Sequence, residues 1–174
     1  MFSDFKELLK SFNAHKVKYL IVGGYAVSFY AQPRATKDLD LFIKADEDNA
    51  RAVYAALSGF GAPLADLAVG DFTDTTRFIR FGREPIAIDI LPDIDGVAFD
   101  NAWDHRVTGT IDQASGLQAF FISKEDLILS KLAAKTGFWF SVSSLLSNSC
   151  DFSFRGSTPL GGIFYLSALG GISI

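Results

Sequence analysis

Charge stops almost completely at Gly137. Of 16 Lys and Arg and 20 Asp and Glu, only Asp151 and Arg155 fall in the 37 residues from Phe138 to Ile174. A domain that folds in water needs an ionic surface around its apolar core, so the folding unit is expected within residues 1–137. Residues 138–174 are instead Ser scattered among Phe, Leu, Gly and Ile, the composition neither of a polar surface helix nor of an ordinary linker. They read as an atypical low-charge tail, with three readings open: disordered chain, the product of a frameshift soon after Gly137, or an apolar docking segment for a partner or a second copy. The full length of 174 residues fits one domain. Its most apolar stretch, Leu160 to Ile174, is interrupted by Gly and Ser and falls short of the roughly 18–20 residues that span a bilayer. Asp4 and Glu7 stand where a secretory signal would be basic. Cys150 alone can form neither an internal disulfide nor a cysteine cage for a metal. The sequence thus reads as cytoplasmic, with no membrane segment. The net charge of -4 excludes a general field for holding nucleic acid, so any such partner must meet a local basic patch.

Within the charged part, two periodicities alternate. Phe2, Phe5, Leu8, Leu9 and Phe12 recur at helical spacing after a cap at Ser3. Tyr19-Leu20-Ile21-Val22 is a short buried strand that ends in a Gly23-Gly24 turn, followed by a helix over Tyr25 to Ala31 that Pro33 ends. Asp38-Leu39-Asp40-Leu41-Phe42-Ile43 alternates as a strand, with Asp38, Asp40 and Phe42 on one face. Asp46 to Phe60 carries a helical stripe with Gly61 as its stop. Arg77–Phe81 and Ile86–Leu91 form an antiparallel hairpin across Gly82–Pro85, and Arg77 and Arg80 fall on opposite faces of their strand. A short helix is expected around Val97 to Arg106 and an edge strand over Gly116 to Ile122. Ser123-Lys124-Glu125-Asp126 is a capping box that opens a helix over Lys124 to Lys135. The order of elements predicts an α/β domain, a mixed β-sheet flanked by helices. His15 and His105 lack a second ligand at a telling spacing and read as surface groups, and Trp103 reads as core.

The chemistry concentrates in three places: Gly23-Gly24, Asp38-Leu39-Asp40 and Ile88-Asp89-Ile90. Carboxylates two residues apart on a strand share a side about 6.5–7 Å apart, close enough to share hard divalent cations. A third acid on a strand flanked by Ile completes the set if that strand pairs beside the first. A side-chain-free turn at a helix start lets backbone N–H groups approach phosphate.

This combination resembles the nucleotidyltransferase superfamily with the polymerase-beta-like palm. The similarity is strongest to its small bacterial members related to minimal and abortive-infection-type toxin nucleotidyltransferases. The residues that carry it are Tyr19-Leu-Ile-Val-Gly-Gly-Tyr-Ala-Val, Pro33-Arg34-Ala35-Thr36-Lys37-Asp38-Leu39-Asp40-Leu41, Asp89, and the helix with Glu125-Asp126-Leu127-Ile128 and Lys131, roughly residues 5 to 137. The resemblance implies a nucleotidyltransferase palm fold over residues 1–137. It also implies transfer of a nucleoside monophosphate from an NTP such as ATP to a hydroxyl acceptor, with release of pyrophosphate. Asp38, Asp40 and Asp89 would be catalytic and hold two Mg²⁺ ions, Asp89 also serving as general base. Gly23 and Gly24 would cradle phosphates, with Arg34, Thr36 and Lys131 as further nucleotide contacts. Many relatives carry Ser where Gly24 stands. The implied acceptor is tRNA, a protein or a small molecule, and the implied setting is a toxin–antitoxin or defence system with a cognate antitoxin or dimer partner. Should tRNA be the acceptor, Arg34, Lys37, Arg80 and Lys131 are the cations available to meet it. The alternative is a catalytically inactive binding or antitoxin-like module on the same fold, or a truncated or frameshifted product. The tail favours it, because relatives continue past the lysine helix with further charged helix.

Overall fold

A computed structural model describes residues 1–31, 35–83, 86–134 and 164–167, the last four and Arg83 as backbone. The elements in order are α1 (Ser3–Ala14), β1 (Tyr19–Ile21), α2 (Gly23–Tyr30), β2 (Asp38–Ile43) and α3 (Glu47–Phe60), a 3-10 turn at Val69–Thr73, β3 (Arg77–Arg83), β4 (Ile86–Leu91), α4 (Phe99–Asp104), β5 (Val107–Asp112), β6 (Leu117–Phe121), α5 (Lys124–Ala133) and β7 (Phe164–Ser167). The strands form one sheet in the order β5-β6-β1-β2-β4-β3-β7. It is mixed: β1 runs antiparallel to β2 and parallel to β6, β2 and β4 are parallel, and β4 returns antiparallel to β3. The expected mixed sheet flanked by helices is therefore present.

The core follows from the apolar stripes. Phe5, Leu8, Leu9 and Phe12 of α1 and Ala50, Val53, Ala56 and Leu57 of α3 are fully buried or nearly so. They join Leu39, Leu41 and Ile43 of β2 in one continuous cluster. Asp46 caps α3 by accepting from the Asn49 N–H at 2.8 Å, and Gly61 ends the helix in the left-handed conformation at φ 85° that other residues avoid. Buried Asn49 ties the strand ends together. Its Oδ1 accepts from the Lys18 N–H at 2.7 Å, and its Nδ2 donates to the Lys18 and Lys44 carbonyls at 3.0 and 2.9 Å. The lead into β1 and the exit from β2 are thus fixed to one side chain.

Four expectations need correction. Ser3 is the first residue of α1 rather than its cap, and its hydroxyl donates to Asp4 at 3.0 Å. The glycines belong to the first turn of α2 rather than to a turn before it, and α2 closes at Tyr30, before Pro33. The strand over Leu117–Phe121 is interior, held between β1 and β5. The true edge is β5, whose residues Thr108 and Thr110 are exposed and which carries no apolar run. Helix α5 ends at Ala133, with Ser123 accepting from the Asp126 N–H at 3.0 Å as its cap. Gln32–Arg34, and with them Pro33, lie outside the described residues, as does the tail apart from the antiparallel backbone pairing of β7 with β3. Among the described residues no helix is long and apolar enough to cross a membrane.

Candidate active site

The site is assembled by strand register. In the parallel pair, Asp40 of β2 stands directly beside Asp89 of β4, and Asp38 stands beside Ala87. Residues paired in this way share a face of the sheet, so all three carboxylates project from one side. That side of β2 is half-buried at Asp38 and Asp40, while its far end is closed where Phe42 meets Phe99 of α4 edge-on at 5.0 Å. Ile88 and Ile90, the apolar neighbours of Asp89, are buried and hold β4 in place.

The glycine helix start lies against the same acids. The Val22 N–H donates to the Asp40 carbonyl at 3.0 Å, which clamps the β1–α2 junction onto β2. Gly23 has φ +59°, and a Cβ there would lie 1.9 Å from Asp40 Oδ2. Only a residue without a side chain permits this approach. The Gly24 N–H donates to the Asp40 carboxylate. A Cβ on Gly24 would fall 2.5 Å from Thr36 Oγ1, so the place that a serine would need is taken by the threonine hydroxyl, itself 3.4 Å from the Asp38 carbonyl.

Burial pushes the Asp40 carboxyl up to about 7. The charges of Asp89 and Asp38 add to this, and Lys131 and the Gly24 N–H oppose it. Asp89 is raised to about 6 by burial, with Arg80 opposing and Asp38 adding. One Asp89 oxygen, Oδ1, is buried and has no hydrogen-bond partner among the described residues. A buried carboxylate oxygen with free lone pairs suits a hard cation or a hydroxyl proton. With Asp40 beside it, the donor set fits Mg²⁺. As they stand, however, no three carboxylate, imidazole or thiol groups among the described residues converge closely enough to hold an ion.

The structure thus brings together Asp38, Asp40, Asp89, Gly23, Gly24, Thr36 and, through its field on Asp40, Lys131. Arg34 lies outside the described residues. Two further residues join the cluster. Tyr25, on the first turn of α2, is half-buried and packs edge-on to Phe5 at 5.8 Å. Burial raises its phenol and the Asp38 charge raises it further. Arg80 lies opposite Asp89 in the β3–β4 register, and its Nη2 is 3.1 Å from Asp38 Oδ2 and its Nη1 3.5 Å from Asp89 Oδ2. Arg77, on the other face, pairs instead with Asp71 and Asp74, both at 2.7 Å. His105 is an exposed partner of Asp126 at 3.3 Å, and exposed His15 contacts the Ser11 carbonyl at 2.9 Å, in keeping with surface roles.

A mixed sheet with helices around it, three aspartates on one face and a glycine-started helix against them define an α/β domain of the nucleotidyltransferase type. The chain belongs to the family described as "Nucleotidyltransferase of unknown function (DUF6036)", whose model matches residues 1–152 and so continues past the break in charge at Gly137. In outline the chain is also similar to a crystal structure of a candidate nucleotidyltransferase from Thermotoga maritima. The identity is 15% and the TM-score 0.47, over 76% of this chain and 82% of that one. Comparison with curated proteins gives no match.

Proposed function

We propose that this protein transfers a nucleoside monophosphate from an NTP to a hydroxyl acceptor in a Mg²⁺-dependent reaction that releases pyrophosphate. The observation that carries the reading is the register that sets Asp40 beside Asp89 on parallel strands, with Asp38 on the same face and the glycine start of α2 against Asp40. Asp38, Asp40 and Asp89 would hold the metal, which when bound neutralises phosphate charge and acidifies the attacking hydroxyl. At the start of α2 the Gly24 N–H is taken by Asp40, so the Gly23 and Tyr25 N–H groups and the helix dipole are what would orient phosphate there. The Thr36 hydroxyl and the Lys131 ammonium extend that cradle, one from the segment before β2 and one from α5. Asp89 Oδ1, buried and without a hydrogen-bond partner among the described residues, is the atom to take the proton of the acceptor hydroxyl. Its burial makes it a better proton acceptor than an exposed aspartate. Most of the rate advantage in this chemistry comes from positioning and electrostatics, which these fixed elements supply.

The acceptor belongs to the same proposal: a hydroxyl of RNA, of a protein or of a small molecule, within a toxin–antitoxin or defence setting in the cytoplasm. Incubation with α-labelled NTPs, Mg²⁺ and separated cellular RNA, protein and small-molecule fractions tests it. Label is expected in one fraction with the wild type and absent with Asp40→Asn. No transfer to any fraction, or equal transfer by the variant, refutes the reading. The setting predicts in addition that induced wild type slows growth of a host lacking its partner while Asp40→Asn does not.

A second reading, a catalytically silent module on the same fold, is favoured by the Arg80 ion pairs, which offset part of the charge of Asp38 and Asp89 within the chain. Calorimetry separates the two, since a silent module shows no Mg²⁺-dependent NTP affinity.

A further inference from the structure

We propose that Arg80 is an internal cation that occupies the carboxylate cluster in the metal-free protein and must let go before a divalent ion can bind. This rests on the reading of Asp38, Asp40 and Asp89 as metal ligands. Arg80 stands directly across from Asp89 on the neighbouring strand, so its side chain starts in the same lateral row as Asp40 and Asp89. From there the planar guanidinium forks: Nη2 lies 3.1 Å from Asp38 Oδ2 and Nη1 3.5 Å from Asp89 Oδ2. One permanently charged group therefore spans the first and third acids. The middle one, Asp40, is held separately by the Gly24 N–H. As they stand the three carboxylates, among the described residues, do not converge on one ion position.

Arg80 takes up lone pairs of Asp38 Oδ2 and Asp89 Oδ2 and sets a positive charge beside the cluster, so it would compete with a divalent ion held by these carboxylates. The pair is reached by solvent, which weakens it, and a long side chain that is about a third exposed has room to swing. The negative groups best able to receive it are the phosphates of an incoming nucleotide, which match its bidentate geometry. Metal alone is then a poor ligand, and metal with nucleotide a good one. Arg80 acts here as a positioning residue, coupling occupancy of the cation site to arrival of substrate.

The test is Mn²⁺ binding followed by electron paramagnetic resonance, which reads the ion directly and needs no turnover. With no nucleotide present, Arg80→Met is expected to bind Mn²⁺ roughly tenfold or more tightly than wild type, since both the competitor and a nearby positive charge are gone. Arg80→Lys, which keeps the charge but loses the fork, should fall between them. Arg51→Met removes an equal charge from an exposed pair with Glu47 and should leave Mn²⁺ affinity as in wild type. A non-hydrolysable NTP analogue should tighten Mn²⁺ binding strongly in wild type and much less in Arg80→Met. Thermal melting in chelator verifies that each variant folds, and should Arg80→Met fail to, the Arg80→Lys comparison carries the test. Equal Mn²⁺ affinity in wild type and in both folded Arg80 variants, with binding lost in Asp38→Asn, overturns the proposal and leaves the proposed function standing. Absence of Mn²⁺ binding in every variant, with or without nucleotide, overturns both.

Discussion

The raised carboxyls of Asp40 and Asp89 make the metal-free protein lose stability as the pH rises, opposite to the usual behaviour of paired surface acids. Asp40 moves from 3.8 to about 7 and Asp89 from 3.8 to about 6, each chiefly through burial. Between the unfolded and folded values the native state binds more protons than the unfolded chain, so unfolding becomes easier with increasing pH across that window. The contribution is whole below about pH 4 and is lost by about pH 7 to 8. For Asp40 alone the ceiling is about 4 kcal/mol. Its remaining solvent contact, and the field it shares with Asp89, reduce the expected effect to about 1–2 kcal/mol. At roughly 3–4 °C per kcal/mol for a domain of this size, the Tm in chelator should fall by about 3–8 °C between pH 5 and pH 8 beyond the drift of the rest of the molecule. Asp40→Asn cannot ionise, so its Tm should be higher than wild type at pH 8 and nearly equal at pH 5. Mg²⁺, which requires ionised ligands, should, when added with a non-hydrolysable NTP analogue, stabilise the wild type at pH 8 and hardly at all at pH 5. Scanning calorimetry at four pH values with and without chelator is sufficient. Parallel Tm curves for wild type and Asp40→Asn across pH 5–8 would refute the assignment of Asp40 as a carboxyl raised by its surroundings.

Gly23→Ala places a methyl 1.9 Å from Asp40 Oδ2 at a φ of +59°, and should cost about 1–3 kcal/mol in denaturant unfolding and abolish label transfer together. Asn49→Ala leaves the Lys18 N–H and the Lys18 and Lys44 carbonyls without their buried partner, an expected loss of about 2–3 kcal/mol that Asn49→Asp should not recover. Lys131→Met should lower NTP affinity in calorimetry by about tenfold with little change in Tm, because its charge acts on the cluster from half-exposed α5.

The parts of this fold legible in the sequence are those whose physics is local. The strict alternation of Asp38–Ile43 and the apolar stripe and Gly61 stop of α3 each follow from a few neighbouring residues; the strand appears where they place it, and the helix differs only in that Asp46 is its cap rather than its first residue. Strand β5 could not be read in the same way. It is an edge strand with exposed Thr108 and Thr110, and its Gly109 is explained only by the rings of Phe29 and Phe121, which would lie 2.7 and 2.9 Å from a Cβ. Those rings are stacked at 4.2 Å and come from α2 and β6, so no window around Gly109 contains the reason for it. The interior position of β6 is likewise a fact of pairing between distant segments. For the site, the types and spacing of Asp38, Asp40 and Asp89 are visible in the chain, but their assembly waits on the β2–β4 register. Arg80 shows the limit most clearly. Period-two alternation separates it from Arg77 and says that one of the two faces the cleft, yet only the pairing of Arg80 with Asp89 decides which. The same pairing places a cation where the residue types alone suggest a purely acidic cluster. A site inferred from aspartates by themselves therefore overstates its negative charge by the guanidinium that register delivers, and metal affinity reasoned from the sequence would be too high for the same reason.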